Sequence, residues 1–334
     1  MFGPETLQPC NVSTYSLPRV PRAPEATTNH GDLECIMKKL APFTTILVHP
    51  GNSHNDEILA TAIAIASQGN TVPVFRRDPT EDDLQNQEVL VLDQGGRIDN
   101  RANVFDHHQL PREAPAECTF TIIAKELGVD ADLGAFFPWY RTWAEIDAHG
   151  PFAWAKINGF DWSKASSLLN PLDDMVHWMW ERDDENGQVD PLLVDWIFEV
   201  GKKILATAER FQGFREEADY QESLSGYTVM EDGKTVPGRW VRGVKIFDLT
   251  WASADDALEF GDAYAKLKGE SGGILVSMDN RGPGLALFRR NDDPRVDFSV
   301  LDGCDNVLFA HKGGFIAKTK EPAGWGPLVK AAVK

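Results

Sequence analysis

The chain is 334 residues long, 42% hydrophobic and 25% charged, with 28 glycines and 20 prolines. Those globular proportions exclude wholesale disorder, a collagen-like repeat and a coiled-coil rod, and the length suits two ordinary domains. A formal charge of −18, from 33 basic against 51 acidic residues, repels polyanions over most of the surface and argues against a nucleic-acid binder with one broad basic face; a locally positive cleft or bound metal ions remain compatible with a phosphate substrate.

Cys10, Cys35, Cys118 and Cys304 are scattered and form no C-x-x-C pair, which argues against a zinc ribbon or a disulfide scaffold and suits a reducing compartment. No apolar run approaches the roughly 18 residues of a membrane span. The first forty residues show neither a secretion nor a transit pattern, and the sequon Asn11-Val12-Ser13 is then a chance match. An intracellular, cytoplasmic protein with no membrane partner is expected.

In chain order, residues 1–40 carry five prolines and read as an irregular arm. Thr44-Thr45-Ile46-Leu47-Val48 fits a buried strand, ended by the turn-rich His49-Pro50-Gly51-Asn52-Ser53. Ser53 stands three residues before Asp56 in an arrangement close to a capping box, and Ile58, Leu59, Ala62, Ile63 and Ala66 follow at helical spacing up to Gly69. Val72–Phe75, Glu88–Leu92 and Asn103–Phe105 read as strands. The alternation predicts an α/β unit around a mostly parallel sheet. Helical patterning covers 118–148, about 164–182 and 191–217. Seven of the ten tryptophans lie between Trp139 and Trp196; without basic neighbours they read as packing residues rather than a base-stacking platform. From about Ser225 the period changes to strands at Val241–Leu249, Gly273–Ser277, Leu285–Phe288 and Val307–Ala310, with a helix at 254–267. The expected organisation is an arm (1–40), a metal-binding catalytic domain (41–155), a helical connector (156–224) and a smaller C-terminal α/β domain (225–334).

Three clusters of metal-ligand residues fall at the ends of expected strands: His49, His54 and Asp56 after the first; Asp93 after Val89-Leu90-Val91-Leu92; and Asp106-His107-His108 after Asn103-Val104-Phe105. Ligands in open α/β sheets bind beyond the carboxyl ends of strands, so these segments can converge. Singly, His49 is an ordinary strand-end histidine, Asp56 a helix N-terminal acid and Asp93 a turn residue. Jointly they exceed what one ion needs, and a two-metal site with ions about 3.5–4 Å apart is the economical inference. Imidazole and carboxylate without thiolate point to Mn²⁺, Zn²⁺, Fe²⁺ or Mg²⁺, the histidine share favouring Mn²⁺ over Mg²⁺.

These residues also carry a resemblance. His49-x-Gly51-x-x-His54-x-Asp56-Glu57 resembles the first motif of the melanocyte-proliferating-gene (Myg) exonuclease family, a branch of the DHH phosphoesterase superfamily. Asp93-Gln-Gly95-Gly96-Arg-Ile-Asp99 and Phe105-Asp106-His107-His108-Gln109 resemble its second and third motifs, and Glu145-Ile146-Asp147-Ala148 its fourth. Ser167-Leu168-Leu169-Asn170-Pro171 and Phe309-Ala310-His311-Lys312-Gly313-Gly314-Phe315-Ile316 are weaker likenesses. Pro50, Ser53 and His149-Gly150 depart from the family pattern beside the site.

The resemblance implies a DHH-type N-terminal domain with His49, Asp56, Asp93, His107 and Asp147 as ligands, His54 as a sixth or as a substrate contact, and Asp93 as the bridge. It implies Asp106 orienting His107, and His108 contacting a phosphoryl oxygen or the leaving group. The activity implied is two-metal hydroxide attack on phosphorus, 3′ to 5′ on RNA or short oligonucleotides. The acidity tilts this toward short substrates. Between Arg281 and Lys320 seven basic residues outnumber five acids, so Arg289, Arg290 and His311, with Gly313-Gly314 permitting close backbone approach, are candidates for a phosphate grip; a hairpin turn with solvated charges explains the same residues. Competing readings are hydrolysis of small cyclic nucleotides or pyrophosphate, a non-catalytic metal-binding interaction protein, and a zinc amide hydrolase, the last disfavoured by the absence of H-E-x-x-H.

Overall fold

The computed structural model describes residues 38–111, 114–162, 171–230 and 235–334. The expected arm up to residue 37 and the motif stretch Ser167-Leu168-Leu169-Asn170 lie outside the described residues. By density of internal contacts the chain divides into two compact units, Cys35–Gln212 and Gly213–Lys334.

The first unit opens with β1 (Thr45–Val48), α1 (Asn55–Gln68), β2 (Val74–Arg76), α2 (Glu81–Gln85), β3 (Val89–Leu92), β4 (Ile98–Asp99) and β5 (Val104–Phe105). These strands form one sheet in the order β2-β1-β3-β5-β4. All pairs are parallel except β4 with β5, and the register sets Ile46 beside Val74 and Leu90. The two-residue period of a strand splits its side chains. Ile46, Val48, Leu90, Leu92 and Phe105 join the main core with Ile58 and Ile63 of α1, while Leu47, Val89, Val91 and Val104 pack on the other face against Phe75, Leu84 and Ala102. Burial on both faces explains why these strands are unbroken apolar runs.

Helices α3 (Thr119–Leu127), α4 (Asp130–Phe136), α5 (Pro138–His149), α6 (Pro151–Ile157), α7 (Pro171–Trp180) and α8 (Pro191–Leu224) follow. The single helical stretch expected over 118–148 is three helices. Gly128 turns left-handed at φ 79° and closes α3, and Pro138 occupies the first turn of α5, where its missing N–H costs nothing. Helix α8 runs seven residues past the expected end, and the boundary between the units falls within it.

The second unit contains β6 (Tyr227–Val229), β7 (Thr235–Pro237), β8 (Arg239–Val241), β9 (Val244–Asp248), α9 (Ala254–Leu267), β10 (Ile274–Met278), β11 (Leu285–Arg289), a 3₁₀ turn (Phe298–Leu301), β12 (Val307–Ala310), β13 (Ile316–Thr319) and α10 (Trp325–Ala332). Its six-stranded sheet runs β12-β13-β11-β10-β9-β8 and is mixed, with β9 and β10 parallel and the other pairs antiparallel. The strand expected over Val241–Leu249 is instead a hairpin: Arg242 and Gly243 both have positive φ, 45° and 75°, the geometry of a two-residue turn that the sequence does not announce with Asn-Gly. Among the described residues no helix is long and apolar enough to cross a membrane. The α/β class, with its parallel-rich N-terminal sheet and second sheet-rich C-terminal region, is as expected.

Candidate metal centre

Three neighbouring parallel strands of the first sheet end at one edge, and each delivers donors there. His49 follows β1, Asp93 follows β3, and Asp106-His107-His108 follow β5. Asp56 comes from the first turn of α1 and Asp147 from the last turns of α5. Three overlapping groups result, each with donor atoms within 4.8 Å of one another: His49, His54, Glu57 and Asp93; Asp93, His107 and His108; Asp56, His107 and Asp147. His107 Nε2 lies 3.0 Å from Asp147 Oδ2, 3.2 Å from Asp93 Oδ1 and 3.6 Å from Asp56 Oδ2. His49 Nε2 lies 3.5 Å from Asp93 Oδ2 and 3.7 Å from Glu57 Oε1.

Local backbone holds these side chains. Both oxygens of Asp56 accept N–H groups at the start of α3, from Thr119 at 2.8 Å and Phe120 at 2.7 Å, so the carboxylate caps a second helix as well as opening its own. Asp93 adopts a left-handed backbone, φ 58°, which aspartate tolerates better than most residues, and its Oδ1 accepts the Thr119 hydroxyl at 3.2 Å. The turn beyond it needs glycine at Gly95, where φ is +100° and a Cβ would stand 2.8 Å from Val104 Cγ1. Gly96 N–H then reaches Asp106 Oδ2 at 2.7 Å.

Two expectations are corrected here. Asp106 orients His108, not His107: its Oδ1 accepts the His108 N–H at 2.9 Å and lies 2.8 Å from His108 Nδ1, because an aspartate side chain reaches its own backbone two residues on. The α1 box is also one residue later than Ser53 and Asp56 suggest. His54 is the N-cap, and Glu57 accepts its N–H at 2.8 and 2.9 Å. Ser53 instead donates to Glu181 Oε1 at 2.9 Å and lies 2.8 Å from His177 Nδ1.

Asp56, Glu57 and Asp93 are no more than 3% exposed, so their charges meet little water. Burial, then Asp93 and Asp147, push the Asp56 carboxyl up to about 8, and burial holds Glu57 well above the usual carboxylate range. Burial opposes charge on His107, but its bonds to Asp147 and Asp93 outweigh that and push it up to about 10. His49 is lowered, chiefly by burial, and a neutral imidazole is a metal ligand. His108 is raised by its bond to Asp106; burial alone would raise Asp106, but the bonds from His108 and Gly96 hold it down to about 2. Crowded buried carboxylates repel one another unless cations or protons sit among them. The donor set therefore fits divalent ions, as a mixture of oxygen and imidazole donors without sulfur.

Two cavities flank the donors. One, about 450 Å³, is bordered by Asp56, Asp147, Phe120, Trp143 and Trp162; the other, about 260 Å³, by His54, His107, His108, Pro111 and His149. The remaining candidates lie in the second unit. There Arg289 donates to the carbonyls of Val296 at 3.0 Å and Gly313 at 3.3 Å and to Asp292, and His311 Nδ1 accepts the Gly313 N–H at 3.0 Å. His311 and Gly313 lie in the β12–β13 hairpin turn, and Arg289 ends β11. Gly314 is fixed by packing, since a Cβ would fall 2.4 Å from Asp297 Oδ1. Arg290 is buried, bound to Asp262 at 3.0 Å and to the carbonyls of Glu270 and Gly272 at 2.9 and 2.7 Å, which commits its guanidinium to its own unit.

Sequence reasoning assigned no role to Glu57, Thr119 or Arg76. Glu57 stood inside the first motif, and its place in the first turn of α1 was the available signal. Thr119 and Arg76 had none: buried Arg76 donates to the Gly51 carbonyl and so braces the loop after His49.

The model of an uncharacterised protein family, MYG1_exonuc (UPF0160), matches residues 45–119. The match takes in the first three motifs, from His49 to His108, and bears out the resemblance read there; Asp147 lies outside it. A search of curated proteins gives no match. Among solved structures, a pGpG-specific phosphodiesterase, PggH from Vibrio cholerae, is 12% identical with a TM-score of 0.28, the comparison covering 84% of this chain and 92% of that one; the score is too low to bear on the chemistry here. Fold, donor set and family match are together consistent with the class of metal-dependent phosphoesterases.

Proposed function

We propose that the protein is a metal-dependent phosphodiester hydrolase that removes nucleotides from the ends of short RNA or oligonucleotides, 3′ to 5′. The observation that supports this most is the meeting of His49, Asp56, Asp93, His107 and Asp147 from four separated segments, at the edge of a parallel sheet where substrates bind. Two divalent ions are assigned, held by these residues with Glu57 and His54 at the first group. Asp93 is shared because each of its oxygens faces a different histidine. Mn²⁺ suits the histidine share. When bound, such ions lower the pKa of water and neutralise phosphoryl charge.

The chain's own residues do the rest. Asp106 fixes the imidazole of His108, which is 62% exposed at its side chain, so that His108 presents a donor N–H to a phosphoryl oxygen or to the leaving group. Arg76 and the Gly95-Gly96 turn keep the His49 and Asp93 loops in place. In the second unit, Arg289 and His311 beside Gly313-Gly314 are proposed as phosphate contacts. A substrate comparison tests the reading: purified protein with Mn²⁺ should shorten a 5′-labelled pentanucleotide RNA stepwise and should turn over cyclic dinucleotides and pyrophosphate more slowly. Faster turnover of either small substrate would make the protein a small-molecule phosphodiesterase or pyrophosphatase, and no turnover of any would leave a non-catalytic metal-binding protein.

A further inference from the structure

Helix α5 carries Asp147 four residues after Trp143, a spacing that brings the two side chains onto one helix face, with Ile146 three residues after Trp143 and Gly150 as the C-cap. All four line the cavity of about 450 Å³, together with Phe120, Trp162 and residues 53–56 at the start of α1. Its lining thus combines aromatic rings with two carboxylates of the donor cluster. Trp143 is partly buried against the core and also lines the cavity, as does Trp162. Ser53 and His177 also line it, the Ser53 hydroxyl being held between His177 and Glu181. Among the described lining residues none is Lys or Arg, so the space offers flat apolar surface without a phosphate grip of its own.

From this juxtaposition we infer that the aromatic cavity beside Asp56 and Asp147 is a nucleobase subsite, which stacks the base of the nucleotide whose phosphate lies at the donor cluster. The inference rests on the phosphoesterase reading and specifies its substrate class: a nucleotide rather than pyrophosphate or a simple phosphate ester. The volume lies in the range of small-ligand pockets. Stacking on an aromatic face binds any base and needs no cation, because the negative charge is met elsewhere.

Calorimetric titration of the full chain with adenosine 5′-monophosphate and with ribose 5-phosphate, both in Mn²⁺, tests it. Stacking predicts that the nucleotide binds about tenfold or more tightly than the base-free sugar phosphate. Trp162→Ala and Trp143→Ala should each erase most of that difference, while Trp162→Phe keeps it, and melting curves report whether each variant is folded. Equal affinity for the two ligands overturns the subsite, as does a difference that survives in folded Trp162→Ala and Trp143→Ala proteins. Hydrolysis of bis(p-nitrophenyl) phosphate, measured in parallel, separates the two levels. Hydrolysis without a base preference removes only the subsite, and neither hydrolysis nor binding of either phosphate removes the phosphoesterase reading with it.

Discussion

Asp93 serves two imidazoles at once, with His107 3.2 Å from one carboxylate oxygen and His49 3.5 Å from the other. A side chain so shared is the one whose loss should be felt at both proposed ions. Asp93→Asn is expected to keep the fold, since it removes a crowded buried charge while preserving shape, and to lower turnover by about a thousandfold or more, the scale on which metal-assisted charge stabilisation acts. Elemental analysis of the purified variant should show metal content reduced below that of the parent; an active variant with full metal content would remove Asp93 from the site. The same crowding sets a pH dependence. Asp56 folded titrates near 8 against about 4 unfolded, and His107 near 10 against about 6.5. Between each pair of values the folded chain binds more protons than the unfolded one, so metal-free stability falls as pH rises, from Asp56 over about pH 4–8 and from His107 over about pH 6.5–10. Ions that take the place of those protons reverse the trend. The rise in Tm caused by Mn²⁺ should grow between pH 6 and 8, and calorimetry in buffers of different ionisation enthalpy should record proton release on binding. A metal-induced shift that is flat or shrinks over that range would contradict it.

Helices α1 and α8 meet without room for a methyl group: a Cβ on Gly201 would lie 2.0 Å from the Ala62 carbonyl oxygen and 2.9 Å from Ala66 Cβ. Helix α1 also carries Asp56 and Glu57 in its first turn, so this contact sets where two donors stand. Gly201→Ala should lower stability by about 1–3 kcal/mol despite alanine's better helix propensity, because backbone must move. Gly213, in the same helix with nothing within 4 Å of its would-be Cβ, is the control: Gly213→Ala should raise stability by about 0.5–1 kcal/mol. Denaturant unfolding of both variants measures the pair, and a stable Gly201→Ala protein would mean the helices are free to separate. This element scale is also where the sequence was most and least readable. Strands β1 and β3, buried on both faces, announce themselves as apolar runs, and α1 by its spacing. The three donor clusters were legible because each sits directly after such a strand. Less visible were features without a local signal. Two-residue β4 has too few side chains to show a period, and the β8–β9 turn uses Arg-Gly. The cap of α3 is supplied by Asp56, 63 residues upstream of Thr119. Trp143 and Trp162 read as packing because sequence gives no view of which ring faces a cavity.

Across the whole molecule the charge of −18 opposes the substrate class that the donor cluster favours, and ionic strength is the means to see which governs. For a protein that binds nucleic acid through many Lys and Arg contacts, affinity falls steeply with salt as counterions return to the strand. Here the expected attraction is confined to the ions and a few side chains that contact phosphate, while the net charge of −18 opposes most further phosphates. Salt screens those distant like-charge contacts over a Debye length of about 10 Å at 0.1 M and leaves short, buried interactions largely intact. Efficiency per strand end, as kcat/KM with Mn²⁺ held constant, should therefore be highest for di- to pentanucleotides at low salt and fall with length. Raising salt from 20 to about 200 mM should narrow the gap by lifting the long strands more than the short ones. Measuring kcat/KM on RNAs of 2, 5, 15 and about 40 nucleotides at each salt concentration gives the answer. Long strands processed best at low salt, and losing most as salt rises, would point to a continuous basic track.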